Sequence, residues 1–388
     1  MFRPRCNVRF SDIRHQDRAL SILRRALRSG RTHHAYLFEG PEGVGKERTA
    51  LALAARLLCD DSGLAADADA CGVCESCRMF AAETHPDFRL IHRGLHKLHP
   101  DRTIRASKGL YLVVDVVRQF LIEPAAMKPS HARRKVFLVR DAERMNEEAQ
   151  NALLKTLEEP PGDARLVLVT SSAYRLLPTI RSRCQRVPFD LLPAAFVTER
   201  LVREHLVPEA DAAVLAGLAG GRLGVALHWH RIDLLGALEQ VAALLAGLAD
   251  PDPEAFGRGL VECATGLAER AIGRSAAPAE DVDDDAGEAG KKGEVGTDPL
   301  RDAVKLVLAL VASLLREALL ARVDAPRLAN RRLTSAVQRL GAGRDEASLI
   351  SGIAAVAQAE WMLDRNVAPT LVGERLAVAL LGEAGLPA

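Results

Sequence analysis

Gly40-Pro-Glu-Gly-Val-Gly-Lys46 puts Gly40, Gly43, Gly45 and Lys46 into seven residues, the composition of a loop that wraps a phosphate. It follows the apolar run AYLFE and precedes the alanine-rich run TALALAARLL, so it reads as strand, loop and helix. Small residues let backbone N–H groups converge on an anion at the helix N-terminus, and Lys46 would neutralise β and γ phosphate oxygens. In loops that hydrolyse nucleotides, the next residue is a Ser or Thr that holds Mg²⁺. Here it is Glu47, longer and negatively charged. Bound ATP or ADP and a turn kept only for its structure both stay open on these residues.

Three further groups could carry chemistry. In KVFLVRDAER (135–144) a β-run leads to Asp141, the place for a carboxylate that holds Mg²⁺ through water. The following slot, where a water-orienting Glu would stand, is Ala142. Glu143 comes one residue later and, on an extended strand end, should point to the opposite face. Cys59, Cys71, Cys74 and Cys77 gather four of the seven cysteines into nineteen residues. Four thiolates suit a closed tetrahedral Zn²⁺ of structural type. Iron–sulfur competes, without the ferredoxin spacing and its following proline. Cys6, Cys184 and Cys263 are scattered and read as ordinary residues. Ser182-Arg183-Cys184, within TIRSRCQRVPF (179–189), lies between a helical stretch and a strand; on composition alone Arg183 is a surface arginine.

The elements that must position these residues alternate up to about residue 190. Apolar runs at 35–39, 88–91, 135–140, 165–170 and 186–189 predict strands. Between them, 17–28 predicts a helix with Leu20, Leu23 and Leu27 on one face. Another is predicted at 147–158, with Ala149, Leu153 and Leu157 at helical spacing, Asn146 as N-cap and Pro160-Pro161 as terminator. Alternation of this kind predicts a mostly parallel sheet covered by helices on both faces. Beyond 190 the strand signal stops. Residues 191–231 read as a small helical unit broken at Gly220-Gly221, and 232–388 as alanine- and leucine-rich helix. The segment 275–299, acidic and then mixed in charge, has too little apolar content to offset its ordering and is expected to be a disordered loop.

The bulk numbers exclude more than they assign. The 388 residues are 48% hydrophobic and 27% charged, with a net charge of +1, which gives no basic field for nucleic acid. Aromatics make up only 4%, so a stacking platform for single strands is not expected either. The apolar stretch 304–321 carries Arg316 and Glu317 and reads as a soluble helix, and no apolar leader opens the chain. A cytoplasmic location, reduced thiols and metal rather than disulfides are expected.

Taken together, FSDIRHQDRAL, HHAYLFEGPEGVGK, the cysteine cluster, THPDFRLI, ERMNEEAQNALLKTLEEPPG, LPTIRSRCQRVPF and DRNVAPTLVGERL (364–376) resemble the clamp-loader branch of the AAA+ proteins. NALLKTLEEPP followed by Ser-Arg-Cys is the most specific part. The resemblance implies a RecA-like AAA+ domain over 1–190 with a zinc module at 59–77, a helical lid over 191–231 and an all-α collar over 232–388. It further implies a place in the hetero-oligomeric ring of a DNA polymerase holoenzyme, beside gamma, tau and delta subunits, serving a sliding clamp and primed DNA. Hydrolysing members carry Lys-Thr or Lys-Ser in the loop, Asp-Glu after the third strand and a sensor arginine in the lid. This chain has Lys46-Glu47, Asp141-Ala142 and, in GGRLGVAL, Gly224 at that slot with Arg222 two residues away. By resemblance it is silent in its own site, while Arg183, in its Ser182 and Cys184 context, is a finger for a neighbour's ATP. An active ATPase like gamma or tau is the alternative, and a zinc-dependent DNA binder a third reading.

Overall fold

A computed structural model describes residues 8–107, 109–248, 252–273, 299–323, 331–342 and 344–382. They fall into two compact units. One runs to Pro193 and takes in Gly221–Gly224; the other holds Ala194–Gly220 and the residues from Val225 onward.

The first unit is built on the five predicted strands, with ends shifted by a residue: β1 (Ala35–Glu39), β2 (Phe88–Ile91), β3 (Lys135–Val139), β4 (Ala164–Thr170) and β5 (Gln185–Pro188). They pair parallel throughout, in the order β2-β3-β4-β1-β5. Its helices are α1 (Asp17–Arg28), α2 (Lys46–Leu58), α3 (Glu75–Ala81), the one-turn α4 (Arg102–Arg105), α5 (Val114–Val117) and α6 (Glu123–Ala126), then α7 (Glu147–Glu158) and α8 (Pro178–Arg183). The period of two along each strand divides the core. Tyr36, Phe38, Val136, Leu138, Val167 and Val169 pack with α1 and α2 on one face. Leu37, Phe137, Val139, Leu166 and Leu168 pack with α7 and α8 on the other. Both faces are therefore apolar, as a parallel sheet requires. Asn146 caps α7 by accepting the Ala149 N–H at 3.0 Å, as its spacing predicts.

The second unit is helical over its described residues: α9 (Ala194–His205), α10 (Glu209–Ala219), α11 (Leu223–Arg231, whose first two residues group with the sheet), α12 (Leu234–Gly247), α13 (Pro253–Gly273), α14 (Pro299–Val323), α15 (Arg331–Ala342), α16 (Glu346–Asp364) and α17 (Pro369–Leu381). Leu238, Val241, Leu260, Leu267, Val307, Val311, Leu314 and Leu376 share one core. No described helix is long and apolar enough to cross a membrane. Of the segment 275–299, all but Pro299 lies outside the described residues, as does Cys6.

One buried carboxylate fastens the approach to β3. Asp87, 1% exposed, accepts N–H bonds from Ser130, His131 and Ala132, each at 2.7 Å, just ahead of β3. Burial opposes its ionisation, but the three amides outweigh burial and hold the carboxyl below its usual range. A depressed folded-state value stabilises the fold above the unfolded value of about 4, and that stability is lost as pH falls through the folded value. Asp87→Asn should therefore cost about 1–3 kcal/mol at pH 7. Denaturant midpoints should converge with wild type below pH 4; a difference that does not shrink on acidification would contradict this role.

Candidate functional site

The phosphate-type loop leaves β1 and enters α2 through positions only glycine tolerates. Gly40 sits at φ 147°, where a Cβ would stand 2.3 Å from the Phe189 carbonyl oxygen, and Gly45, at φ 104°, is the N-cap of α2. Lys46 is buried at 6% exposure and donates from Nζ to the carbonyl oxygens of Gly40, at 2.7 Å, and Pro41. Burial lowers its pKa, against the raising influence of Glu143, Glu42 and Asp141. Glu47, in the slot of the metal-binding hydroxyl, is ion-paired with Arg140. The Gly224 N–H donates to the Gly43 carbonyl at 2.8 Å, and a Cβ there would lie 2.9 Å from Gly43 Cα. That close approach is a reason for glycine where the resemblance implies a sensor arginine.

The expectation for Glu143 is corrected. Strand β3 ends at Val139, Asp141 takes a left-handed conformation at φ 51°, and 142–144 form a 3₁₀ turn, so strand alternation no longer sets direction. Ala142 is buried, and Glu143 turns back to the end of β4. There its Oε1 accepts from the Ser171 N–H, at 3.1 Å, and from the Ser171 hydroxyl. Burial raises the Asp141 pKa, and the Glu143 charge raises it further. Burial also opposes the Glu143 charge, but Ser171 outweighs it and the Glu143 pKa is lowered. Lys46, Asp141 and Glu143 are thus electrostatically coupled.

The four clustered cysteines converge as their spacing implies, with Sγ atoms all within 4.8 Å of one another. The Cys59–Cys71, Cys59–Cys74 and Cys71–Cys77 separations are 3.6, 3.9 and 3.9 Å. A tetrahedron with Zn–S bonds of about 2.3 Å has edges of about 3.8 Å, so the cage fits Zn²⁺. Amides of Val73 and Cys74 donate to the Cys71 Sγ; desolvation works against the thiolate, yet its pKa falls to about 7. Burial pushes the Cys59 and Cys77 thiols up, so a bound cation would have to draw the proton from each. Cys184 and Cys263 are buried thiols elsewhere; burial pushes Cys184 up to about 12.

Arg183 is the last residue of α8, and Cys184 is buried beneath it. Its Nη1 donates to the Thr179 carbonyl at 3.0 Å and its Nη2 meets Glu158 Oε1 at 2.5 Å, while Ser182 Oγ donates to the same carbonyl at 3.0 Å. Buried Gln150 clips the segment leading into α8: its Nε2 donates to the Met145 and Arg175 carbonyls and its Oε1 accepts the Leu177 N–H. Arg183 stands two residues before β5, at the edge where the parallel strands begin, whereas the Lys46 loop follows the end of β1. With Tyr36 to Glu39 paired against 185–188, the two sites lie on opposite edges of the sheet, roughly 15 Å apart by strand rise alone. Sequence reading missed Arg140, Ser171, Gln150 and Glu158; Arg140, directly before Asp141, was the one readable as a counter-charge to Glu47.

Residues 15–193 match the family described as "DNA polymerase III, delta subunit". The DNA polymerase III subunit delta' of Pseudomonas aeruginosa is 40% identical over 215 residues, 55% of this chain and 60% of that protein. The delta' of Bacillus subtilis is 34% identical over 203 residues, 52% and 56% of the two chains. A gamma/tau subunit of Mycobacterium tuberculosis is 35% identical over 245 residues, 62% of this chain and 38% of its own. The match thus covers less than two thirds of each relative's length. Through residues 15–193 this chain is similar to the DNA polymerase III delta-subunit family, and delta' and gamma/tau subunits are among the proteins it resembles there.

Proposed function

We propose that the chain is the delta' subunit of a bacterial clamp loader, silent in its own nucleotide site and donating Arg183 to the ATP of an adjacent gamma or tau subunit. The reading includes the division into AAA+ domain, lid (191–231) and collar (232–388). In it the subunit joins gamma or tau and delta in a ring that places the sliding clamp on primed DNA in the cytoplasm. The observation that carries it is the separation of the two sites. Arg183 stands at the strand-start edge and Lys46 at the strand-end edge, so an Arg183 that touches phosphate touches another chain's. The pairing of Glu47 with Arg140, and of Lys46 with its own loop carbonyls, supports the silent part. In the reconstituted complex, Arg183→Ala is expected to lower DNA-stimulated ATP turnover by about 10³-fold at the sites it serves, the scale of an arginine finger. Unchanged turnover and clamp loading would remove the finger assignment.

One observation favours the alternative, an active ATPase. Glu143 is returned by Ser171 to the vicinity of Lys46 and Asp141, where a water-orienting carboxylate would act. Hydrolysis by the purified chain separates the readings: turnover at the level of the assay blank is expected. Turnover abolished by Lys46→Ala would decide for the alternative.

The cysteine cage is proposed to hold one structural Zn²⁺. Elemental analysis of the purified chain should give one zinc per molecule, and Cys77→Ser should lose it and lower the melting temperature. Structural zinc contributes about 10–16 kcal/mol of apparent binding energy in small modules, so chelation should unfold residues 59–81. Iron in its place, or a metal-free chain of equal stability, would count against zinc.

A further inference from the structure

Glu158 is an anion where helix electrostatics disfavours one. It is the last residue of α7, at the end of the helix that carries partial negative charge. Its carboxylate meets Arg183 Nη2, and the Thr179 carbonyl takes Arg183 Nη1. The two acceptors come from separate elements, the C-terminus of α7 and the first turn of α8. They grip one N–H on each terminal nitrogen of a group that has five to offer. An arginine on a short surface helix otherwise samples many rotamers, and ordering it on contact with phosphate would cost entropy. The side chains of Arg183 and Glu158 are 35% and 49% exposed, so the pair adds little to folding and the guanidinium stays accessible.

We infer that Glu158 is a positioning residue for Arg183, holding the guanidinium in one orientation at the strand-start edge before a neighbour's nucleotide arrives. This rests on the reading of Arg183 as a finger. The same helix has its N-terminus beside the Asp141–Glu143 turn and its C-terminus, about 18 Å away, at the finger.

The test uses the reconstituted clamp-loader complex with clamp and primed DNA, comparing wild type, Glu158→Ala, Glu158→Gln, Arg183→Ala and the Glu158→Ala/Arg183→Ala double variant. Glu158→Ala should lower kcat for ATP about two- to fivefold, the scale of an exposed ion pair, with KM unchanged. Glu158→Gln, which keeps a hydrogen-bond acceptor, should recover part of the rate. In the Arg183→Ala background the Glu158 change should have no further effect. If Arg183→Ala is impaired while Glu158→Ala turns over at or above the wild-type rate, the positioning role is overturned and the finger stands. A further loss in the double variant, or a fall in melting temperature or complex assembly that accounts for the rate, assigns Glu158 to folding and also overturns it. A fully active Arg183→Ala overturns the finger reading itself, and the positioning role with it.

Discussion

Parallel pairing is the constraint on which the placement of every candidate residue depends. Because all five strands run the same way, each turn that leaves a strand lies at one edge of the sheet and each that enters a strand lies at the other. The loops after β1, β3 and β4 therefore bring Lys46, Asp141 and Ser171 toward one place, although well over a hundred residues separate the first from the last. The same rule sends Glu158 and Arg183, which stand ahead of β4 and β5, to the opposite edge. Buried apolar faces on both sides hold this arrangement, with Phe137 and Val139 packed on one face and Val136 and Leu138 on the other.

At the strand-end edge, charges meet protein partners where a hydrolysing site would offer them to metal, nucleotide and water. Arg140 answers Glu47, Ser171 answers Glu143, and the loop's own carbonyls answer Lys46. Burial acts in opposite directions on Lys46 and Asp141, favouring the uncharged form of each. A ligand entering here would have to displace contacts already made, which is a physical reason for the silence proposed for this chain. At the other edge Arg183 remains partly exposed, next to buried Cys184 and at the end of a helix whose entry Gln150 clips.

Much of this could be read from the residues in order. Hydrophobic period placed five strands within a residue of their ends, and Asn146 announced the start of α7 through a local hydrogen bond. Cysteine spacing predicted the cage because three of its members share a short turn. Glu143 failed for a definite reason: the strand stopped at Val139 and Asp141 left extended geometry, so alternation was applied to residues no longer in a strand. Arg183 with Glu158 was illegible for another, since it joins the ends of two separate helices through side chains whose meeting only the fold decides. The tight contact of Gly224 on Gly43 belongs to the same class.

The most direct measurement is a structure of the assembled clamp loader with a non-hydrolysable ATP analogue and Mg²⁺. Arg183 should lie within about 3 Å of a γ-phosphate oxygen of the analogue bound to the adjacent subunit. The chain's own loop should keep the Glu47–Arg140 pair and hold no Mg²⁺-nucleotide. An Arg183 directed away from every nucleotide, or Mg²⁺ and the analogue seated between Lys46 and Asp141 of this chain, would contradict the assignment of silence to one edge and action to the other.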